Sequence, residues 1–171
     1  MIVRRIHHLE DEPEGLRWIP GALLNHYWLN QPHWIREEGN FSEEDDGNLI
    51  SFVLYVGPEP VRLEYRIYRN KAEFESKFPL FAQQGDFVLL DVLTEDPHGG
   101  LVPDGLDVFS LAEKAVGSPA IYYLSAYPRK VLSDSRIQNA LPEGHLLLKP
   151  VDANAVVQVL VRHFRLEDLQ R

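Results

Sequence analysis

The stretch "FVLLDVLTED" (87–96) decides how this chain is read. Its first four residues, 87–90, are apolar without alternation, and the run stops at Asp91. A short unbroken apolar run bounded by polar residues suits a parallel strand covered on both faces. Two more runs of this kind follow, "AIYYL" (120–124) and "HLLL" (145–148), while "VRRIHHL" (3–9) reads as a first strand halted by "EDEP". Helical patterns lie between them. Leu16, Ile19, Leu23 and Tyr27 sit at helical spacing over 14–29, although Pro20 and Gly21 interrupt. "NKAEFESKFPLFAQQ" (70–84) opens on an Asn N-cap candidate with Glu73 three residues on, and should bend or break near Pro79. "GLDVFSLAEKAV" (105–116) is amphipathic, and Asp152 can cap a last helix over 152–164.

Alternation of strands and helices predicts a doubly wound α/β fold, a parallel sheet with helices on both faces. One segment stands apart. "LISFVLYV" (49–56) and "VRLEYRIY" (61–68) around "GPEP" predict a hairpin, and "EEGNFSEEDDGN" (37–48) predicts a solvated loop.

Bulk properties narrow the function classes. At 171 residues the chain suits one domain, 1–171, with an ordinary core. A formal charge of −9 argues against a nucleic-acid surface and weakens contact with an anionic membrane. There is no cysteine, which excludes disulfides and thiolate metal sites and fits a cytoplasmic setting. No apolar stretch approaches the roughly 18–20 residues that cross a bilayer.

In a parallel sheet, ligands gather beyond the carboxyl ends of the strands. Those ends carry Glu10-Asp11-Glu12, Asp91, Ser125 and Lys149-Pro150. Carboxylates converging on one rim favour a hard divalent cation such as Mg²⁺. A lysine and a hydroxyl beside it can stabilise a phosphoryl group, and an aspartate can accept one by nucleophilic attack. Singly, each residue has an ordinary explanation as a turn, cap or solvated side chain; their standing comes from occurring together.

With those four strand ends in order, the chain resembles the receiver domain of two-component response regulators. "LEDEP" is similar to the family's acidic pair, with Glu10 in place of the more usual aspartate and Asp11 following. "FVLLDVLTED" resembles the phosphoacceptor strand, "YYLSAY" the strand ending in Ser or Thr then Ala, and "LLLKP" the lysine–proline pair. The likeness covers 1–29 and about 62–164 and implies a flavodoxin-like, five-stranded parallel sheet of order 2-1-3-4-5. It implies that Asp91 is phosphorylated, and that Glu10, Asp11, Asp91 and the Leu93 carbonyl hold Mg²⁺. It further implies that Ser125, followed by Ala126, and Lys149 bind the phosphoryl group, and that the bond to Pro150 is cis. The implied partners are a histidine kinase or phosphotransfer protein and an output protein; a homodimer is also compatible. Only seven residues follow Phe164, so the expectation is a stand-alone signalling domain, not an enzyme, acting through protein contacts.

The chain departs from the family in three places. "VLTEDPHGGLVPDG" (92–105) is about six residues longer than the usual loop, although it still ends in Asp104-Gly105. Leu146 stands where the family has its switch aromatic. Residues 30–61 form an insertion, expected to lengthen the first helix and add an acidic loop and an extra strand, and "PRKVLSDSRIQNAL" (128–141) is a poor helix. Two alternatives stay open. One is a pseudo-receiver, a protein-binding module independent of phosphorylation. The other is an aspartyl phosphohydrolase, which would need a second acid where Leu93 stands. His7 and His8 project to opposite faces of one strand, so they read as core residues and not as a metal pair. Trp18, Trp28 and Trp34 read as packing.

Overall fold

The computed structural model describes residues 1–11, 19–22, 25, 41–44, 48–55, 59–95, 98, 100–126, 135, 144–149 and 152–166. Its strands are β1 (Ile2–Leu9), β2 (Phe41–Glu44), β3 (Leu49–Leu54), β4 (Val61–Tyr68), β5 (Phe87–Asp91), β6 (Thr94–Glu95), β7 (Leu101–Val102), β8 (Ile121–Ser125) and β9 (Leu146–Leu148). The helices are α1 (Lys71–Phe81), α2 (Asp104–Asp107), α3 (Phe109–Val116) and α4 (Ala153–Phe164), with further helical backbone at 19–22.

Among the described residues one sheet has seven strands in the order β2-β3-β4-β1-β5-β8-β9. Its five parallel strands, β4-β1-β5-β8-β9, run in the expected 2-1-3-4-5 order. The insertion gives the sheet two antiparallel strands instead of one. β3 pairs with β4 through the expected hairpin, and β2 adds an outer edge. The acidic loop expected over 37–48 is therefore partly a strand. Pairing with β3 supplies the backbone bonds at 41–44 whatever the composition suggests.

The pleat of β5 shows how the core divides. Phe87 and Leu89 join one apolar cluster with Ile6, Tyr65, Leu124 and the α4 residues Val156, Val157, Leu160, Val161 and Phe164. Val88 and Leu90 join the other, with Leu9, Phe74 and Phe78 of α1, and Ala112 and Val116 of α3. Each cluster removes one face of the sheet from water, at about 25 cal/mol per Å² of apolar surface. This is why the apolar runs lack alternation.

Helix ends follow the sequence closely. The Asn70 side chain accepts the Glu73 N–H at 2.8 Å, and Glu73 reaches back to the Arg69 N–H at 2.8 Å. Pro79 does not end α1. It lies within its last turn, and the Ala82 N–H still donates to the Phe78 carbonyl at 2.9 Å. The 105–116 helix is divided at Val108 into α2 and α3. Most of the first helix, the 128–141 segment apart from Ser135, the three tryptophans and Pro150 lie outside the described residues.

Gly105 at the start of α2 is buried directly against Asp91, and a Cβ there would overlap the Asp91 backbone carbonyl and crowd Val92. A side chain can be admitted only by moving α2 or β5. Gly105→Ala should therefore destabilise the protein by roughly 2–4 kcal/mol, read from the urea midpoint. An unchanged midpoint would contradict this packing.

Candidate functional site

Strand register assembles the site. Leu9 lies beside Leu90, Asp91 beside Leu124, and Ser125 beside Leu148, so four strands end on one rim. Backbone bonds fix these ends: Glu10 N–H to the Tyr68 carbonyl at 3.0 Å, Val92 N–H to Leu124 at 2.9 Å, and Lys149 N–H to Ser125 at 2.8 Å. Each site residue thus follows its strand as a rigid extension of the ladder.

The Lys149 ammonium donates to Asp91 Oδ2 at 2.6 Å and to Glu10 Oε2 at 2.7 Å. These contacts join residues 58 and 139 positions apart. Asp11 completes the group: Glu10, Asp11 and Asp91 each bring one carboxylate oxygen within 4.8 Å of the others. Three converging carboxylates are a donor set for a hard cation such as Mg²⁺ and have nothing to offer a soft one. Ser125 is buried at the tip of β8, next to Lys149, and Ala126 after it is exposed. Leu93 is half-buried two residues beyond Asp91. Of the expected metal, phosphoryl-binding and cis-proline residues, Glu10, Asp11, Asp91, Leu93, Ser125, Ala126 and Lys149 are described and Pro150 is not.

Burial dominates the electrostatics. It pushes the Asp91 carboxyl up to about 7; the Glu10 charge adds to the rise, and the Lys149 ammonium opposes it. For Lys149, burial alone would lower the pKa, but Asp91 and Glu10 more than offset it and the ammonium is held above its usual value. One lysine thus restrains two acids that would otherwise repel in a site closed to water.

Two polar pairs beneath the rim were not legible as such. His7 Nδ1 shares a 2.8 Å hydrogen bond with the Tyr68 hydroxyl, and its Nε2 meets Asp86 at 3.2 Å. His8 Nδ1 meets the Tyr65 hydroxyl at 2.5 Å on the opposite face. Burial lowers His7 and pushes His8 down to about 3, with Lys149 adding to the latter. Both rings are buried on opposite faces of the sheet, as their alternation on β1 predicted. The signal that could have found their partners was the pair Tyr65 and Tyr68 on the neighbouring strand, with sides matching those of His8 and His7.

The described parts of the enlarged loop also pair. β6 and β7 pair as a hairpin, and Asp104 ties its base down by accepting the Thr94 hydroxyl at 2.8 Å and the Lys71 N–H at 3.3 Å.

No protein-family profile matches the sequence. No curated protein matches it either. Solved structures do. The receiver domain of Francisella response regulator 1452 aligns with a TM-score of 0.54 at 10% identity, over 95% of this chain and 98% of that one. The bacteriophytochrome response regulator AtBRR aligns at 0.52 and 16% identity, over 97% of this chain and 95% of that one. A Roco2 RocCORdC protein of Methanosarcina barkeri bound to GDP aligns at 0.51 and 9% identity, over 99% of this chain and 51% of that one. At these identities the likeness is one of fold, and the fold is the flavodoxin-like one of response-regulator receiver domains.

The raised Asp91 pKa has a sign that stability can read. The folded protein keeps the Asp91 proton at pH values where the unfolded chain, at its ordinary 3.8, has released it. Ionised Asp91 therefore lowers stability, progressively from about pH 4 to about pH 7. Asp91→Asn should be the more stable protein at pH 7.5, by roughly 1–2 kcal/mol or about 2–8 °C in Tm, with the difference fading towards pH 4. Loss of stability in the variant at pH 7.5 would show that the Lys149 pairing outweighs the burial.

Proposed function

We propose that this chain is a phosphorylatable receiver. Asp91 takes a phosphoryl group from the phosphohistidine of a histidine kinase or phosphotransfer protein, and the change is passed on through a protein–protein surface. The observation that carries this reading is the Lys149 ammonium bridging Asp91 and Glu10 across three strand ends. A lysine so placed can follow charge from a carboxylate to the oxygens of an arriving phosphoryl group.

In this reading an Asp91 carboxylate oxygen attacks phosphorus in line. The O–P bond forms as the P–N bond to the donor histidine breaks, its electron pair returns to nitrogen, and the imidazole leaves neutral with the proton its other ring nitrogen already carried. Glu10, Asp11, Asp91 and the Leu93 carbonyl would hold Mg²⁺. Such an ion would supply positive charge to offset that of the transferring phosphoryl group. Ser125 hydrogen-bonds one of those oxygens, with Ala126 giving the group room, and Lys149 moves from Asp91 to another. Asp91 is buried and pushed up to about 7, so cation binding must also displace a proton. Mg²⁺ should bind more weakly as pH falls below neutrality.

A second reading has one observation in its favour. Leu146, at the position of the family's switch aromatic, packs against the apolar cluster beside β5, so no ring there can turn inward. A phosphorylation-independent binding module would need no such ring.

Labelling with acetyl phosphate or phosphoramidate separates the two. The receiver reading expects Mg²⁺-dependent addition of a phosphoryl group, read by intact mass and absent from Asp91→Asn. Labelling that persists in the variant would move the acceptor elsewhere. No labelling, with tryptophan fluorescence indifferent to Mg²⁺ and beryllofluoride, would leave the module.

A further inference from the structure

Asp91 ends β5 with less support than the residues before it. Among the described residues the ladder to β1 stops at Leu90, and Asp91 has its register partner, Leu124, on β8. Further support comes from α2, where Gly105 lies directly against the Asp91 carbonyl.

What holds α2 there is Asp104. Its Oδ2 accepts the Thr94 hydroxyl at 2.8 Å and the Lys71 N–H, at the start of α1, at 3.3 Å. Thr94 is 1% exposed and pairs with Val102 at the base of the β6-β7 hairpin. One carboxylate oxygen therefore ties α2 to the chain just past Asp91 and to the helix that follows β4. A second tie runs from the Lys71 ammonium to Asp107 at 3.1 Å, but both side chains are more than a third exposed and water weakens it. The Thr94 bond is buried at its hydroxyl end and has a charged acceptor, which makes it the stronger kind.

We propose that Asp104 is a positioning residue for Asp91: through Thr94 and Lys71 it keeps Gly105 seated on the Asp91 backbone and so sets the Asp91 carboxylate against those of Glu10 and Asp11. One oxygen from each of these carboxylates lies within 4.8 Å of the others. Mg²⁺ demands near-ideal octahedral geometry, whereas Ca²⁺ accepts irregular coordination, so a loosened Asp91 costs the smaller ion more. Residues that orient metal ligands from behind commonly change affinity by about 10–100-fold. The inference rests on the receiver reading for the cation site and adds Thr94 and Asp104, which that reading does not use.

The test is calorimetric titration of the full chain with Mg²⁺ and with Ca²⁺, beside a urea midpoint for each variant. Thr94→Val keeps the shape of the side chain and removes the hydroxyl. It should weaken Mg²⁺ binding about tenfold and Ca²⁺ binding distinctly less, and Thr94→Ser, which keeps the hydroxyl, should restore the Mg²⁺ affinity. Asp104→Ala breaks the same bond from the other side and carries the test should Thr94→Val not fold. Where both fold, adding Thr94→Val to Asp104→Ala should cost no further affinity, because the two act through one bond. A lower urea midpoint with unchanged Mg²⁺ affinity, or an equal loss for both ions, would make Asp104 a structural tie and overturn the proposal while the receiver reading stands. A chain that binds no Mg²⁺ at all would overturn both.

Discussion

A single ammonium group shared by two buried carboxylates is the constraint on which the rest of this molecule depends. Lys149 can reach Asp91 and Glu10 together only if β1, β5 and β9 end at the same level, and this fixes the parallel registers of the sheet. Those registers in turn need the apolar runs of β5 and β8 sealed on both faces by helices, because a slip of one residue would turn Asp91 away from the rim. Gly105 adds a further limit: it lets α2 press on the Asp91 carbonyl, so that β5 cannot shift without moving the helix.

Such an arrangement is held in tension. Burial drives Asp91 towards its protonated form, the Glu10 charge drives it further, and Lys149 pulls back. One layer down, among the described residues, His7 has two hydrogen-bond partners and His8 one.

Much of this was legible before any coordinates. The unbroken runs at 87–90 and 120–124 gave strands because strands buried on both faces cannot alternate, and the side chains just beyond them gave the site. Asn70 with Glu73, and Asp152, gave helix starts because their side chains satisfy backbone N–H groups locally. What escaped depends on contacts distant in sequence. The strand at 41–44 is acidic and polar, and only pairing with β3 makes it a strand. Pro79 reads as a breaker, yet in the last turn of α1 its missing N–H leaves the closing bond from Ala82 intact. The Tyr65–His8 bond joins residues 57 apart and the hold of Lys149 on Glu10 joins residues 139 apart, so neither has a local signature. The hairpin within 94–102 was hidden for another reason: its strands are two residues each, too short for any periodicity.

The most direct measurement is a crystal structure of the protein with Mg²⁺ and beryllofluoride. The account predicts fluoride bonded to an Asp91 carboxylate oxygen, the cation between Glu10, Asp11 and Asp91, and the Lys149 ammonium turned from Asp91 to a fluorine. Fluoride and cation bound away from these strand ends, or a Lys149 still closed on Asp91 with the rim empty, would contradict it.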